Sequence, residues 1–446
     1  MTTAETLQKK KIIELIPFSL SRFKQDGFCF INMERKFFII ILFFLAPLFS
    51  IGQTKNLDYF INQSLNNDPK FFELHNLILQ NRIDSQIIVA GNKLQLTGNG
   101  NAYYAPIVNG YGYDMAITNG QQLSALVALN KNIYNKRNLS LQFKSLQLQN
   151  DSLNNSSAIY RQDLKKSIIT QYITAYGDQL QLNLNDQIID LLSKEEQILK
   201  ILTQKNVYKQ SDYLSFLVTL QQQQLARNQL MVQYKNDYAT LNYLSGIADT
   251  TTESLAKPDI HVIENYEPTE SPFFFTYKID SLRIENERLI TKVQYRPKVN
   301  LFADAGYQST FILTPYKNFG YSFGINLTVP IFDGHQKQLR FSKLDIQQRT
   351  LQKRQQFFNT QYHQQLLQLH QQLKDIESLA SNINKQIEYL ETLIKVNGKL
   401  LETGDIRITD YVLALNNYIT AKNLVTQNEI ARFQVIEQIN YWNMKL

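Results

Sequence analysis

Residues 321–334 read YSFGINLTVPIFDG, and their pattern decides the fold class. Large apolar side chains alternate with small or polar ones as far as Pro330, at Tyr321, Phe323, Ile325, Leu327 and Val329. A period of two indicates a β-strand with one apolar face and one polar face. A strand of about nine such residues is long enough to cross an outer membrane. We therefore predict that the five apolar residues face lipid and that Asn326 and Thr328 face an aqueous lumen.

The sequence after this strand predicts a long helix with a coiled-coil seam. No proline follows Pro330, and apolar residues recur at alternating spacings of three and four, at Leu366, Leu369, Leu373, Ile376, Ala380, Ile383, Ile387, Leu390 and Ile394. This heptad repeat predicts lengthwise packing against other helices. The proline-free stretch between Pro106 and Pro258 carries a similar seam at Leu184, Ile188, Leu191, Ile198 and Leu202.

The helix predicted in that earlier stretch is too long to lie within a membrane. It runs from about Tyr134 to Lys205, which is roughly 105 Å at 1.5 Å per residue. The hydrocarbon core of a bilayer is only about 30 Å thick. We therefore expect the helix to project from the membrane into the periplasm.

Three further stretches have a period of two. They run from Val299 to Tyr307, from Leu123 to Leu129 and, more weakly, from Leu94 to Tyr104, and the segments 110–119 and 311–320 are predicted to be exposed loops. Strands half-buried on a soluble core would show the same alternation. Four strands cannot close a barrel, which needs about eight, and lipid excludes open strand edges. A membrane protein with this pattern therefore needs strands from other copies of itself.

An internal repeat relates the two halves of the chain. Three separated matches share one offset of 198 residues: Ile331-Phe332-Asp333 with Ile133-Tyr134-Asn135, Asp410-Tyr411-Val412 with Asp212-Tyr213-Leu214, and Ile439-Asn440-Tyr441 with Leu241-Asn242-Tyr243. A constant offset indicates an ungapped duplication. Each repeat is predicted to be helix, strand, strand, long helix, turn and helix. The first repeat would span 53–246 and the second 272–446, with a linker over 247–271.

The amino terminus has the three parts of a secretory signal peptide. Arg35 and Lys36 precede the apolar run 37–49, and Ser50-Ile51-Gly52 is a small-x-small cleavage signal before Gln53. The run is shorter than the ~20 residues of a spanning helix, although a membrane anchor is the alternative. We predict a signal peptide over 33–52, and a non-native upstream extension over 1–32 that is read from an earlier start codon.

Composition argues against several function classes. The single cysteine, Cys29, precedes the predicted cleavage site, so the mature chain would have no disulfide and no thiol chemistry. The 46 Lys and Arg against 39 Asp and Glu are a mild, spread excess that gives no case for nucleic acid. The five histidines lack carboxylate or cysteine partners at metal-ligand spacing. No nucleotide-binding or hydrolase motif is complete. We therefore predict no cofactor, no metal and no enzyme.

The junction Val329-Pro330-Ile331-Phe332-Asp333-Gly334, which enters a long Gln-rich helix, resembles the strand-to-helix junction of the TolC-like outer-membrane efflux protein family. The turn 404–412 resembles that family's second hairpin tip, and Ser211-Asp212-Tyr213-Leu214 resembles the first. The resemblance covers residues 55–446. It implies a mainly α protein with a small β part, in which each protomer is a duplicated helix-strand-strand-helix-helix unit. Three protomers would form a 12-stranded outer-membrane β-barrel continuous with a long periplasmic α-helical barrel.

The same resemblance implies a function and partners. The chain would be the passive exit duct of a tripartite efflux or type I secretion system, located in the cell outer membrane with its helical barrel in the periplasm. The implied partners are two further copies in a homotrimer, a periplasmic adaptor (membrane fusion) protein, an inner-membrane pump of the RND or ABC type, and outer-membrane lipid. A periplasmic coiled-coil adaptor or scaffold without a channel is the alternative, although it would not need amphipathic strands.

Four tip residues are candidates for a periplasmic gate: Asp410, Asp212, Asp405 and Arg407. The family's entrance is narrowed by acidic rings and by contacts between tip helices, and its entrance aspartates match Asp410 and Asp212. The family's second aspartate is replaced here by Leu413, and Arg407 lies one position away from the family's tip arginine. The residues alone equally allow helix capping by the two aspartates, or by Ser211 and Thr409 beside them.

Overall fold

The structure is a computed structural model that describes residues 55–118, 120–133, 136–263, 271–310 and 315–444. The predicted signal peptide and upstream extension lie outside these residues. The described residues form eight α-helices and four β-strands. In chain order they are α1 (Leu57–Asn67), α2 (Pro69–Gly91), β1 (Gln95–Tyr104), α3 (Met115–Thr118), β2 (Gln121–Ile133), α4 (Lys136–Gln204), α5 (Gln210–Leu244), α6 (Pro272–Gln294), β3 (Lys298–Ser309), β4 (Phe319–Thr328), α7 (Gln336–Thr403) and α8 (Ile408–Trp442).

The chain is mainly helical with a small antiparallel sheet, as the sequence predicts. The two long helices, α4 and α7, have 69 and 68 residues. The helices that follow them, α5 and α8, have 35 residues each, and α8 begins and ends 198 positions after α5. Within the described ranges, no helix combines the length and the apolarity needed to cross a membrane.

Local sequence explains where several helices begin and end. Asp68 accepts a hydrogen bond from the Lys70 N–H at 2.8 Å, and Pro69 opens α2. At the start of α6, Ser271 likewise accepts a hydrogen bond from the Phe273 N–H, and Pro272 is the first helical residue. A polar cap followed by proline suits a helix start because the first N–H groups have no partner within the helix. Helix α7 ends at Gly404, whose left-handed φ of 83° suits glycine.

The four strands form one antiparallel sheet in the order β1-β2-β3-β4. In this register, residues on the same face of the sheet lie beside one another across all four strands. Leu96 lies opposite Leu129, which lies opposite Ala303, which lies opposite Phe323. On the other face the equivalent row is Thr97, Ala128, Asp304 and Ser322. The strands lie where they were predicted, with different bounds. Strand β2 extends beyond 123–129, and β4 begins at Phe319, inside the segment predicted to be a loop, and ends at Thr328, so that Val329 lies outside it. The other predicted loop, 110–119, contains the short helix α3.

The helices pack side by side, and the packing order differs between the two ends of α4. Near the sheet, α4 contacts α2 and α6, and α6 contacts α7, so the order is α2-α4-α6-α7. Toward the hairpin tips, α4 contacts α5 and α8, and α8 contacts α7, so the order becomes α5-α4-α8-α7. Helix α7 is thus an edge helix both near the sheet and near the tips. The opposite edge is α2 near the sheet and α5 near the tips.

The predicted heptad seam of α7 faces its neighbours. All nine seam residues are buried or half-buried, and Ile383, Ile387 and Leu390 pack against Ala421 of α8. In α4 the predicted seam is incomplete, because Leu192 and Leu199 are fully buried as well. Helix α4 packs between two other helices, and one narrow seam cannot serve both contacts.

An aromatic core ties the amino-terminal helix and the inter-repeat segment to the long helices. Phe60 of α1, Tyr172 of α4 and Tyr238 of α5 are buried together. The Tyr172 hydroxyl donates to the Ala256 carbonyl at 2.6 Å. The segment around residue 255 is therefore held against α4 by side-chain contacts as well as by chain connectivity.

Candidate channel wall and entrance

The apolar face of the sheet is exposed in the single chain. Tyr321, Phe323, Ile325, Leu327 and Val329 are all exposed, and Phe323 retains 80 % of its accessible surface. Val329 follows the end of β4, and the other four share this face with Val127, Leu129 and Leu301 of the neighbouring strands. Lys131 is an exception on this face, at the end nearest the helices, where its ammonium group donates to the Asn92 carbonyl. A continuous exposed apolar face of this kind marks a contact with lipid or protein.

The opposite face is mainly polar, with two large apolar exceptions, Leu126 and Phe302, that the sequence analysis missed. The Ser322 hydroxyl donates to the Asp304 carboxylate at 2.7 Å between adjacent strands. Phe302 also lies on this face, opposite Gly324 in the register. A Cβ at Gly324 would come within 2.6 Å of the Phe302 ring, so the glycine provides the space for that ring. An aromatic residue paired with a glycine could be recognised only once the register was known.

The predicted junction, Pro330 to Gly334, turns the chain from strand to helix. Ile331 and Phe332 are exposed, Ile331 at 95 %. Asp333 accepts a hydrogen bond from the Lys337 N–H at 2.7 Å, and this bond is the main reason that the pKa of Asp333 lies below its usual value. Gly334 and His335 are both left-handed, with φ of 63° and 65°. Asp333 therefore satisfies a free N–H group in the first turn of α7.

The two hairpin tips contact each other. The Tyr208 hydroxyl, in the turn after α4, lies 2.9 Å from the Leu401 carbonyl and 3.1 Å from the Ile406 carbonyl on either side of the second tip. A Cβ at Gly404 would lie 2.8 Å from the Val207 side chain, so glycine allows this close approach. A buried cluster that includes Phe216, Leu401 and Tyr411 lies behind the contact.

The four predicted gate residues all lie at these tips. Arg407 donates two hydrogen bonds of 2.9 Å each to the carboxylate of Asp410. Asp405 accepts a hydrogen bond from the Thr403 hydroxyl at 2.6 Å, and Asp212 accepts one from the Ser211 hydroxyl at 3.3 Å. The position of these residues in a pore depends on assembly, so their role as a gate stays a prediction.

The capping alternative for the tip aspartates is wrong. The cap positions are Lys209 for α5 and Arg407 for α8, and neither side chain forms a capping hydrogen bond. Asp212 and Asp410 are each the third residue of their helix, and Ser211 and Thr409 are each the second. A carboxylate in the first turn still interacts favourably with the positive end of the helix dipole.

Buried carboxyl groups between the helices were not anticipated from the sequence. Asp178 of α4 is 3 % exposed, and burial, then a hydrogen bond with Asp237 of α5 and repulsion from it, raises its pKa to about 7. The Gln233 amide donates to Asp178 at 3.0 Å, and the Gln171 amide donates to Asp237 at 3.1 Å. Burial also raises the pKa of Glu437 of α8 to about 7, although Lys166 and Lys165 oppose the shift.

Within the part of the chain that the structure describes, no three His, Cys, Asp or Glu side chains are grouped as metal ligands would be.

Comparison of the fold with known structures gives its class. No family model matches the chain, and no curated protein matches its sequence. The outer membrane protein VceC of Vibrio cholerae superposes with a TM-score of 0.71 at 11 % identity, over 87 % of this chain and 96 % of that one. A membrane protein from Pseudomonas aeruginosa gives a TM-score of 0.72 at 13 % identity, over 87 % and 90 %. The CmeC outer membrane channel of Campylobacter jejuni gives 0.69 at 11 % identity, over 87 % and 86 %.

These similarities extend over almost the whole described chain. The predicted resemblance to TolC-like outer-membrane efflux proteins is confirmed as a likeness of fold. Because the identities are so low, the likeness concerns the backbone architecture and leaves the side chains of the tips particular to this chain.

Proposed function

We propose that this chain is one protomer of an outer-membrane channel and has no enzymatic activity. The observation that carries the proposal is the register of the sheet, which sorts an apolar face from a polar face across four strands. Such sorting suits a wall with lipid on one side and water on the other. The fold is shared with proteins described as outer membrane channels, which supports the same role here.

We propose a homotrimer because both edges of the sheet are open. Strands β1 and β4 are the edge strands, and lipid tolerates no unpaired edge. Pairing β4 of one copy with β1 of the next would close a 12-stranded barrel in three copies, by cyclic symmetry.

Exposed apolar residues on the edge helices α5 and α7 support closure of the ring by three copies. On α5, Leu214, Val218, Leu225 and Val232 are 51–59 % exposed, and the last three are spaced by seven residues. On α7, Leu379, Leu393 and Leu400 are exposed, again at multiples of seven. Exposed heptad rows on opposite edges suit lengthwise packing of α5 from one protomer against α7 of the next. The resulting helical barrel would lie in the periplasm.

The wider assignment rests on the family resemblance. We propose export by the signal peptide over 33–52, two repeats over 53–246 and 272–446, and a linker over 247–271. The channel would act as the exit duct of a tripartite efflux or type I secretion system. It would dock on a periplasmic adaptor and be supplied by an RND or ABC pump in the inner membrane.

The test is to purify the mature chain from outer membranes and measure its mass and conductance. We expect native mass spectrometry to give three copies per particle, and planar bilayers to show stepwise currents. Material that salt and carbonate washes release from membranes as a monomer without conductance would instead favour the periplasmic adaptor or scaffold.

A further inference from the structure

A cleft lies where the sheet meets the helices. It has a volume of about 460 Å³ and is bounded by the end of β2, the start of β3, the first turns of α4 and the last turn of α6. Ile133, Ile290, Val293 and Val299 form its apolar wall, and Arg296 and Lys298 form its basic wall. This volume is within the range of small-molecule sites in proteins, about 300–1,000 Å³.

The surroundings of the cleft are strongly basic. Segments 131–142, 290–299 and 333–340 together contain eight Lys or Arg residues and one acidic residue, Asp333. The single carboxylate is already engaged with the Lys337 N–H. Across the described residues, neither Arg296 nor Lys298 takes part in an ion pair. Arg340 of α7 adds a further charge nearby, because it donates to Gln294 of the cleft at 3.1 Å.

We propose that this cleft binds the phosphate-bearing headgroup of an anionic phospholipid. The inference rests on the proposed function, which puts this end of the sheet at the periplasmic surface of the membrane. Basic pockets beside membrane-spanning segments attract anionic headgroups, at about 1 kcal/mol for each Lys or Arg near the surface. The apolar wall suits the first acyl carbons, because Ile133 and Val299 lie on the same face of the sheet as Ile325 and Leu327.

Asn138 and the α4 helix end add a polar contribution. Asn138 lines the cleft from the first turn of α4, which is the positive end of the helix dipole. The cleft thus combines two unpaired cationic side chains, a helix start and an apolar wall at one level of the protein, with Lys298 on the polar face of the sheet opposite Thr328. A free anion would use only the first two of these features, and for this reason the lipid is the better match.

The test uses the full mature protein in a neutral maltoside detergent. Isothermal titration calorimetry would measure binding of dihexanoyl phosphatidylglycerol, dihexanoyl phosphatidylcholine and inorganic phosphate. We expect dihexanoyl phosphatidylglycerol to bind most tightly of the three. Arg296→Gln with Lys298→Gln should weaken its binding about 30-fold, which converts to ~2 kcal/mol. Lys343→Gln with Arg349→Gln, which removes two exposed charges of α7 outside the cleft, should change it less than threefold.

A charge-conserving exchange guards against a folding artefact. Arg296→Lys with Lys298→Arg should keep the affinity within about threefold of the unaltered protein. Three outcomes would overturn the proposal. The Gln variant and the exchanged variant could lose affinity for phosphatidylglycerol equally, the Gln variant could bind it as the unaltered protein does, or the unaltered protein could bind phosphatidylcholine equally well. Displacement of the lipid by equimolar phosphate would also overturn it, in favour of a free-anion site. Conductance of the same preparations tests the channel separately, because none of these outcomes requires its loss.

Discussion

Asp410 is paired with Arg407 through two hydrogen bonds of 2.9 Å, and both side chains remain accessible to solvent. An exposed ion pair contributes little to stability because water screens it and both side chains lose freedom. Its larger effect is on local charge, because the guanidinium offsets the carboxylate beside it. Asp405 and Asp212 have hydroxyl partners, which leave their charges uncompensated. The net charge of the tips therefore comes from one paired aspartate and two aspartates without an ion pair.

The first prediction concerns this pair at the tip. Asp410→Asn and Arg407→Gln each remove the ion pair, but they change the net charge in opposite directions. If three copies line the entrance, the cation-over-anion permeability ratio should fall roughly twofold in the first variant and rise in the second. Single-channel reversal potentials in a salt gradient measure the ratio. Parallel changes in the two variants, or none, would remove Asp410 from the entrance.

The second prediction concerns the carboxyl pair between α4 and α5. The pKa of Asp178 is raised to about 7 in the folded protein, whereas an aspartate in an unfolded chain titrates near pH 4. The folded state therefore holds the extra proton between about pH 4 and pH 7, and stability falls as pH rises through that window. Glu437 acts in the same direction.

We expect the thermal unfolding midpoint to fall by about 1 °C for each ~1 kcal/mol lost between pH 5.5 and pH 8, because a chain of this length has an unfolding entropy of ~0.8 kcal/mol/K. Asp178→Asn should reduce the fall, because an amide needs no proton there. Asp84→Asn, at an exposed position of α2, is the matched control. Scanning calorimetry across this range measures the slope, and the same slope in all three proteins would contradict the assignment of the pH dependence to Asp178.

At the level of elements, β4 and α7 were predictable because their periods are simple. Alternation over 321–329 defined a strand, and spacings of three and four over 366–394 defined a seam that is buried or half-buried throughout. The second contact line of α4, at Leu192 and Leu199, was missed because a helix between two neighbours has apolar residues around more of its surface. Asp178 and Tyr208 were missed for another reason, since their partners are 59 and 193 residues away.

The third prediction tests the two faces of β4. Ile325→Arg should impair trimer assembly, since arginine on the lipid face near mid-membrane costs about 2–4 kcal/mol. Asn326→Arg, one residue along the same strand, should assemble normally and change conductance, because that position is predicted to face the lumen. Heat-modifiable migration of the trimer on gels measures assembly. Similar behaviour of the two variants would mean that the faces have been assigned incorrectly.

At the scale of the whole described chain, the features without a partner, apart from the apolar face of the sheet, lie at its edges. Strands β1 and β4, the exposed rows of α5 and α7, and the outward side of α2 all lie at lateral boundaries of the chain. The sequence could predict that other copies are needed, because four strands cannot close. It could not predict which helices form the boundaries, because the order α5-α4-α8-α7 depends on packing between distant segments.

The open edges of β1 and β4 also have a genetic consequence. In the proposed trimer, a defect in one edge strand of a single copy would disrupt every ring that includes that copy. If β4 carries a proline at Phe323 and this chain is expressed equally with the unaltered one, only about one eighth of randomly mixed trimers would be free of the altered copy. The allele should therefore be dominant, with export activity falling well below half of normal, whereas a chain lacking residues 55–446 should be recessive. Efflux measured in cells carrying both alleles distinguishes the cases, and half-normal activity would indicate that the copies do not share edges.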